Sequence, residues 1–197
     1  MKLFLTNIKN IEPEQEYKIS PERCEKVKRY KSANDKRRCI AAGLLIEKFL
    51  PNTKITTNNF GKPIAENGVC FNISHSGDYV LIAISDCDIG CDIQRLKYQN
   101  IKKIPKFLFN ESELSVLRSS TDKNGAFFKM WTKKESFLKC IGEGFHRPAK
   151  SVDVSSNSFS ENGTDYYFRL YSFSDYIISI CSKKNIFPDY IEFVEEF

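Results

Sequence analysis

The chain has 197 residues and a formal net charge of +5, from 30 basic and 25 acidic side chains, with seven cysteines and two histidines. That length buries a substantial core, as one large domain or two small lobes, and the modest positive charge suits an acidic protein partner or an anionic cofactor without by itself arguing for nucleic acid. The odd, scattered cysteines, with no C-x-x-C pair, argue against a disulfide framework or a zinc site and point to a reducing cytoplasm.

In chain order, residues 3–8 read as a strand, since the apolar run at the start is too short for a signal peptide. No stretch is long and apolar enough to suggest a membrane span. Ser20 and Pro21 favour a helix start, with the helix running to about residue 31. Asn34 or Asp35 opens a second helix that ends before Pro51, and Ile40, Leu44, Leu45, Ile46 and Phe49 surround most of it, so it is expected to be buried. Residues 52–70 are polar and turn-rich, and residues 71–85 hold a strand region with the continuous apolar run from Val80 to Ile84. A second lobe is expected to begin near Ile89, followed by a charged connection over 97–106 and a helix over about 112–117. After the polar loop 119–125 comes a helix ending at Gly142 or Gly144. Two or three strands finish the chain, separated by polar turns at 155–160 and 161–164.

Two segments stand out chemically. In Ile89-Gly90-Cys91-Asp92-Ile93-Gln94, strand alternation puts Asp92 and Gln94 on one face and Cys91 and Ile93 on the other. Gly90 lets another backbone or a ligand come close. In Trp131-Thr132-Lys133-Lys134-Glu135-Ser136-Phe137-Leu138-Lys139, helical spacing gathers Phe127, Met130, Trp131, Phe137, Leu138 and Ile141 on one apolar arc. Glu135 lies at the edge of that arc, with Lys139 four residues on along the same flank. Lys134 falls inside the arc, where a lysine either snorkels to the surface or meets an anion in a cleft. The plain alternatives are a solvated helix pair for Glu135 and Lys139, and a strand-end residue facing water for Asp92. Carboxylates that can bind a hard cation, beside ammonium groups that can bind phosphate, suggest chemistry on a phosphorylated substrate.

Ile-Gly-Cys-Asp followed by Trp-x-x-Lys-Glu-Ser-x-x-x-Lys resembles the signature pair of surfactin-type 4'-phosphopantetheinyl transferases. Gly61-Lys62-Pro63 resembles that family's Gly-Lys-Pro turn, and Asn72-Ile73-Ser74-His75-Ser76 its Asn-x-Ser-His-Ser strand end. Ser20-Pro21-Glu22-Arg23 with Lys26, then Asp35-x-x-Arg38, is similar to its basic amino-terminal segment. Together these matches reach across most of the chain.

The resemblance implies an α+β fold of two similar α/β lobes related by a pseudo-twofold, with the active cleft between them. An internal echo agrees: residues 78–85, Asp-Tyr-Val-Leu-Ile-Ala-Ile-Ser, are similar to Asp-Tyr-Ile-Ile-Ser-Ile-Cys-Ser at 175–182, 97 positions later. The expected division is an amino-terminal lobe, 1–87, for the nucleotide end of coenzyme A, and a carboxy-terminal lobe, 88–197, for metal and catalytic residues. The implied reaction moves the 4'-phosphopantetheine arm of coenzyme A onto a serine of an acidic acyl or peptidyl carrier protein, with a monomer as the working unit. Asp92 and Glu135 would then hold Mg²⁺. Glu135 would also serve as base, and Lys139 and Lys134 would face the pyrophosphate. Arg23, Lys26 and Arg38 would surround the 3'-phosphate, Lys62 and Pro63 would shape the adenine pocket mainly through backbone atoms, and Ser74 and His75 would meet the cofactor beside its phosphates. The family's Gly-x-Asp-x-Glu reads Gly90-Cys91-Asp92-Ile93-Gln94 here, so Gln94 offers at most a neutral oxygen to a metal.

Two other classes fit less of the chain. Ser74-His75-Ser76 suggests a serine hydrolase only superficially, because adjacent strand residues point to opposite faces and no Gly-x-Ser-x-Gly elbow surrounds them. A non-enzymatic nucleic-acid-binding module would rest on the basic helices and many aromatics, most of which lie in apolar runs that read as core.

Overall fold

The computed structural model describes residues 1–99 and 107–197, so most of the charged connection expected over 97–106 lies outside the described residues. The strands and helices are, in order, β1 (Lys2–Asn7), α1 (Pro21–Lys28), α2 (Ala33–Phe49), β2 (Ile55–Thr57), β3 (Pro63–Ala65), β4 (Cys70–Ser76), β5 (Tyr79–Ser85), β6 (Ile89–Arg95), α3 (Glu111–Ser119), α4 (Lys123–Ile141), β7 (Ser158–Glu161), β8 (Thr164–Phe173), β9 (Tyr176–Ser182) and β10 (Glu192–Phe193). Ser20 caps α1 by accepting from the Arg23 N–H, and Pro21 occupies the first turn, as expected. Helix α2 starts at Ala33, slightly earlier than Asn34 or Asp35 suggested. The stretch 52–70 is less irregular than its polarity implied, because β2 and β3 pair there as a short antiparallel hairpin. Part of the polar segment 155–160 likewise forms the edge strand β7.

Two four-stranded sheets carry the fold, ordered β10-β1-β5-β4 and β6-β9-β8-β7. Within them β1-β5-β4 and β6-β9-β8 repeat one antiparallel topology, each with a long helix between its first two strands in sequence. The echo seen in the sequence is this repeat: β5 and β9 are the central strands, each entered by a tight hairpin whose first turn residue has positive φ, Gly77 at 54° and Ser174 at 48°. The last strand departs from simple halves, because β10 pairs parallel to β1 and completes the first sheet.

Apolar patterning dictates the layering. On the outer face of the first sheet, Ile40, Leu44 and Leu45 of α2 pack on Phe71, Val80 and Ile82. On the outer face of the second, Phe137 and Leu138 of α4 pack on Phe168, Ile177 and Cys181. The inner faces meet through Leu3, Leu5, Leu81 and Ala83 of one sheet against Cys91, Ile93, Ile178 and Ile180 of the other. Each large aliphatic chain buried this way is worth about 1.5–3 kcal/mol, so both faces of both sheets are worth covering. The result is a helix–sheet–sheet–helix sandwich.

At one seam the sheets meet edge to edge through side chains. Cys91, Ile93 and Arg95 of β6 donate their N–H groups to Asn72 Oδ1 at 3.0 Å, Ser74 Oγ at 3.3 Å and Ser76 Oγ at 3.0 Å, all on β4. Every second residue of one strand thus answers every second residue of the other, and Asp92 is fixed beside Ser74. No described helix is long and apolar enough to cross a membrane.

Candidate active site

The β6–α4 contact assembles the two sequence signatures. A Cβ at Gly90 would lie 2.0 Å from Ser136 O and 2.3 Å from Cys140 N, both backbone atoms of α4. Only glycine lets the helix descend onto the strand here, so the close approach expected at Gly90 is made by the α4 backbone. Asp92 on β6 thereby meets Glu135 and Lys139 on α4. Gly142, left-handed at φ 75°, ends that helix as expected.

Asp92 is buried, with 2% of its surface exposed. Its Oδ1 accepts from Lys139 Nζ at 2.6 Å and from Ser74 Oγ at 2.9 Å, and its Oδ2 accepts from the Gln94 amide nitrogen at 3.0 Å. Lys139 Nζ also donates to Ser74 Oγ at 3.0 Å. Burial pulls the Lys139 ammonium down, but Asp92 and its neighbours outweigh that and hold its pKa above the usual value. Glu135 differs: among the described residues it makes no hydrogen bond or ion pair. Burial first, and then the Asp92 charge, push its carboxyl up to about 7, with Lys139 only partly opposing them.

A divalent cation fits this arrangement. Burial first, and then the charge of Asp92, raise the Glu135 carboxyl, and a cation between the two carboxylates would offset both. Among the described residues no cluster of three or more His, Cys, Asp or Glu side chains could hold a metal, so Asp92 and Glu135 would leave the other positions to water, substrate oxygens or a reoriented Gln94. As it stands, Gln94 turns its amide nitrogen toward Asp92, so it would have to exchange ends to offer its oxygen.

Glu135 therefore predicts a measurable stability trend in metal-free protein. Its folded pKa of about 7 exceeds its ordinary value of 4.5, so the charged form penalises the fold as pH rises through that range. Below pH 4.5 the carboxyl is protonated folded or unfolded and the penalty vanishes; it grows from there to pH 7. Glu135→Gln should melt higher than the parent at pH 8 in EDTA and match it near pH 4.5, as followed by circular dichroism. Equal melting at both pH values would show that the carboxylate is relaxed as it stands.

Beside this cluster lies a cleft of about 230 Å³ lined by Arg23, Lys26, Tyr30, Asp35, Arg38, Cys39, Ala42, Pro63, Ile73 and His75. Five of the residues singled out in the sequence, Arg23, Lys26, Arg38, Pro63 and His75, thus converge here from α1, α2, β3 and β4. Arg38 donates to Gly77 O at 2.9 Å and pairs with Asp35. Partial burial and the charges of Arg38 and Lys139 hold His75 below its ordinary pKa, so the imidazole is neutral at pH 7.

Lys134 lies elsewhere than expected, and Lys62, expected to act mainly through its backbone, sends its side chain away from the cleft. Lys134 is not in the cleft: only 1% of its side chain is exposed, and its Nζ meets Glu113 Oε1 at 2.8 Å, Ala149 O at 2.9 Å and Val152 O at 2.7 Å. The anion it meets is a core carboxylate from α3, so it is removed from the phosphate-facing group. The Lys62 side chain reaches the end of α4 instead of lining the cleft, with Nζ 2.7 Å from Cys140 O. Glu113 escaped the sequence reading, although Asn110-x-x-Glu113 is a capping box and marks it as ordered.

The Asp92–Lys139 pair, with the Glu135 carboxylate near it, thus lies next to a basic cleft in an α+β fold. Residues 88–181 match the model of the 4'-phosphopantetheinyl transferase superfamily. The chain is 36% identical over 149 residues to the 4'-phosphopantetheinyl transferase gsp of Aneurinibacillus migulanus, covering 71% of this chain and 62% of that one. It is 28% identical over 196 residues to the 4'-phosphopantetheinyl transferase Sfp of Bacillus subtilis (strain 168), covering 89% of this chain and 87% of that one. The chain therefore spans under two thirds of the gsp protein and most of Sfp. The L-aminoadipate-semialdehyde dehydrogenase-phosphopantetheinyl transferase of Rattus norvegicus is 30% identical over 164 residues, covering 70% of this chain and 53% of that one. Residues 88–181 of the chain belong to the 4'-phosphopantetheinyl transferase superfamily.

Proposed function

We propose that this protein transfers the 4'-phosphopantetheine arm of coenzyme A to a serine of an apo acyl or peptidyl carrier protein. The observation that supports it most is the facing of Asp92 on β6 by Lys139 and Glu135 on α4, next to the basic cleft. In this reading the carrier serine oxygen forms a bond to the phosphorus of the pantetheine phosphate. The phosphorus–oxygen bond to adenosine 3',5'-bisphosphate breaks. Glu135 takes the serine proton directly or through water. Lys139 offsets charge on the pyrophosphate, and Asp92 and Ser74 hold its ammonium in place. Mg²⁺, when bound by Asp92 and Glu135, would supply Lewis-acid neutralisation of the same oxygens. Arg23, Lys26 and Arg38 hold the 3'-phosphate, with neutral His75 donating at the cleft mouth.

Residues 1–87 then form the nucleotide lobe and 88–197 the lobe of metal and proton chemistry, with β10 returning to the first sheet. Described cysteines are all free thiols, in keeping with a cytoplasmic, monomeric enzyme that meets an acidic carrier through its net positive charge. The relatives lend the nucleic-acid-binding alternative no support.

The deciding experiment incubates the protein with coenzyme A, Mg²⁺ and an apo carrier protein and weighs the carrier by mass spectrometry. A mass gain equal to the arm is expected. No gain on acyl or peptidyl carriers that an active relative does modify would overturn the reading. A second test addresses the 3'-phosphate. Arg38→Ala should weaken coenzyme A by about 1.5–3 kcal/mol, the usual worth of a charge-assisted contact, and 3'-dephospho-coenzyme A far less. The lower end is expected, because Asp35 already pairs with this guanidinium. Equal losses for both ligands, by calorimetry, would take Arg38 off the phosphate.

A further inference from the structure

The turn at 58–62 belongs to the first lobe, yet its side chains close on the end of the helix that bears Glu135 and Lys139. Lys62 Nζ donates to Cys140 O at 2.7 Å and lies 3.5 Å from Ile89 O, so one ammonium touches both α4 and β6. Asn58 Nδ2 donates to Gly142 O at 2.9 Å, and the Phe60 ring packs on His146 with centroids 5.1 Å apart. The turn is itself braced, since Asn58 Oδ1 accepts from the N–H groups of Phe60 and Lys62, both at 2.9 Å, and Gly61 adopts φ +83°.

The last carbonyls of a helix lack partners within it and carry the negative end of its dipole. Here a cation and an amide from another lobe satisfy them. The location matters more than the energy. Where β6 and α4 touch, Gly90 presents no side chain, so the side-chain tie between the two is the Asp92–Lys139 pair of the site itself. Lys62 ties Ile89 O to Cys140 O directly beside it, one residue from Gly90 and one from Lys139. The same turn runs into Pro63, which lines the basic cleft.

We propose that Lys62 is a positioning residue for transfer: by pinning the register between β6 and α4 it keeps Asp92 opposite Lys139 and Glu135, while the turn that carries it borders the nucleotide seat. The assignment rests on the transferase reading above and adds to it a lysine that acts through the helix rather than on the cofactor. The Lys62 ammonium meets Cys140 O, 78 residues away in sequence, and Ile89 O, 27 away, both backbone carbonyls of the second lobe. Misplacing reacting groups by about 1 Å can cost on the order of a hundredfold in rate, so a loosened register is read in turnover.

The test compares the parent with Lys62→Met, Lys62→Arg and Asn58→Ala, by steady-state transfer and by amide hydrogen exchange. Lys62→Met should lower kcat about tenfold or more, normalised to folded protein, and leave KM for coenzyme A within about twofold. Lys62→Arg, which keeps a cation at the helix end, should recover most of that loss. Exchange should quicken at residues 139–142 and 89–91 while the middle of α4 keeps the parent's protection. A raised KM with unchanged kcat would make Lys62 a cofactor contact and overturn the proposal, as would unchanged exchange at the helix end. Should Lys62→Met fail to fold, Asn58→Ala is read by the same criteria. Absence of transfer by the parent itself would instead count against the transferase reading, and the exchange arm would still decide whether the clamp exists.

Discussion

Asp92→Ala and Glu135→Ala should each abolish most transfer, to well below a hundredth of the parent rate, while leaving the protein folded. Each removes a charged oxygen from the recess that would hold a divalent ion, and Asp92 also holds Lys139 at 2.6 Å. Glu135→Ala should melt near or above the parent at pH 8, whereas Asp92→Ala, which leaves Lys139 without its counter-charge, should melt lower while still folding. Gln94→Ala should cost far less, because its amide donates to Asp92 and water can replace it. Gln94→Glu should lower the Mg²⁺ concentration needed for half-maximal rate by adding a third carboxylate. Near-normal transfer by folded Glu135→Ala would remove both the metal and the base assignment at once. Loss in Gln94→Ala as deep as in Asp92→Ala would make the glutamine indispensable.

The largest effect on stability is expected away from the cleft, at the Glu113–Lys134 pair. Both side chains are almost fully enclosed, at 0% and 1% exposure, and Glu113 also accepts from the N–H groups of Asn110 and Val154, each at 2.9 Å. Lys134→Met deletes the cation and leaves a buried carboxylate without its counter-charge, a change that typically costs about 3–5 kcal/mol. Adding Glu113→Leu should restore part of that loss by removing the stranded charge, though not the contacts that cap α3. Urea unfolding measures both. A single Lys134 variant within about 1 kcal/mol of the parent would mean that the pair contributes little to the fold.

How far these residues could be read beforehand depended on how local their chemistry is. Gly90, Asp92, Glu135 and Lys139 stand in short segments whose period alone sets their faces, and the β6–α4 contact then unites them. The paired hairpins were legible because both copies preserve an aspartate and an apolar run. Lys134 was ambiguous for a physical reason: helical spacing shows that it points inward, but its partner Glu113 comes from another helix, and no spacing rule names it. Lys62 was read through its backbone, whereas its long side chain leaves its own lobe. The β2–β3 hairpin and β7 were missed because strands of three and four residues, rich in Thr and Ser, give no alternation to detect.

The parallel pairing of β10 with β1 bears on how the molecule comes into being on the ribosome. Strand β1 is made before the other strands of its sheet, and its free edge is covered only when residues near 192–194 arrive, with Val194 N–H donating to Leu5 O at 2.8 Å and Thr6 Oγ1 to Val194 O at 2.8 Å. Throughout synthesis the earliest strand therefore presents open backbone groups, the feature that invites wrong pairing between nascent chains. Completion of the first sheet must wait for translation of the segment beyond the second, so the half that emerges earliest is the last to close.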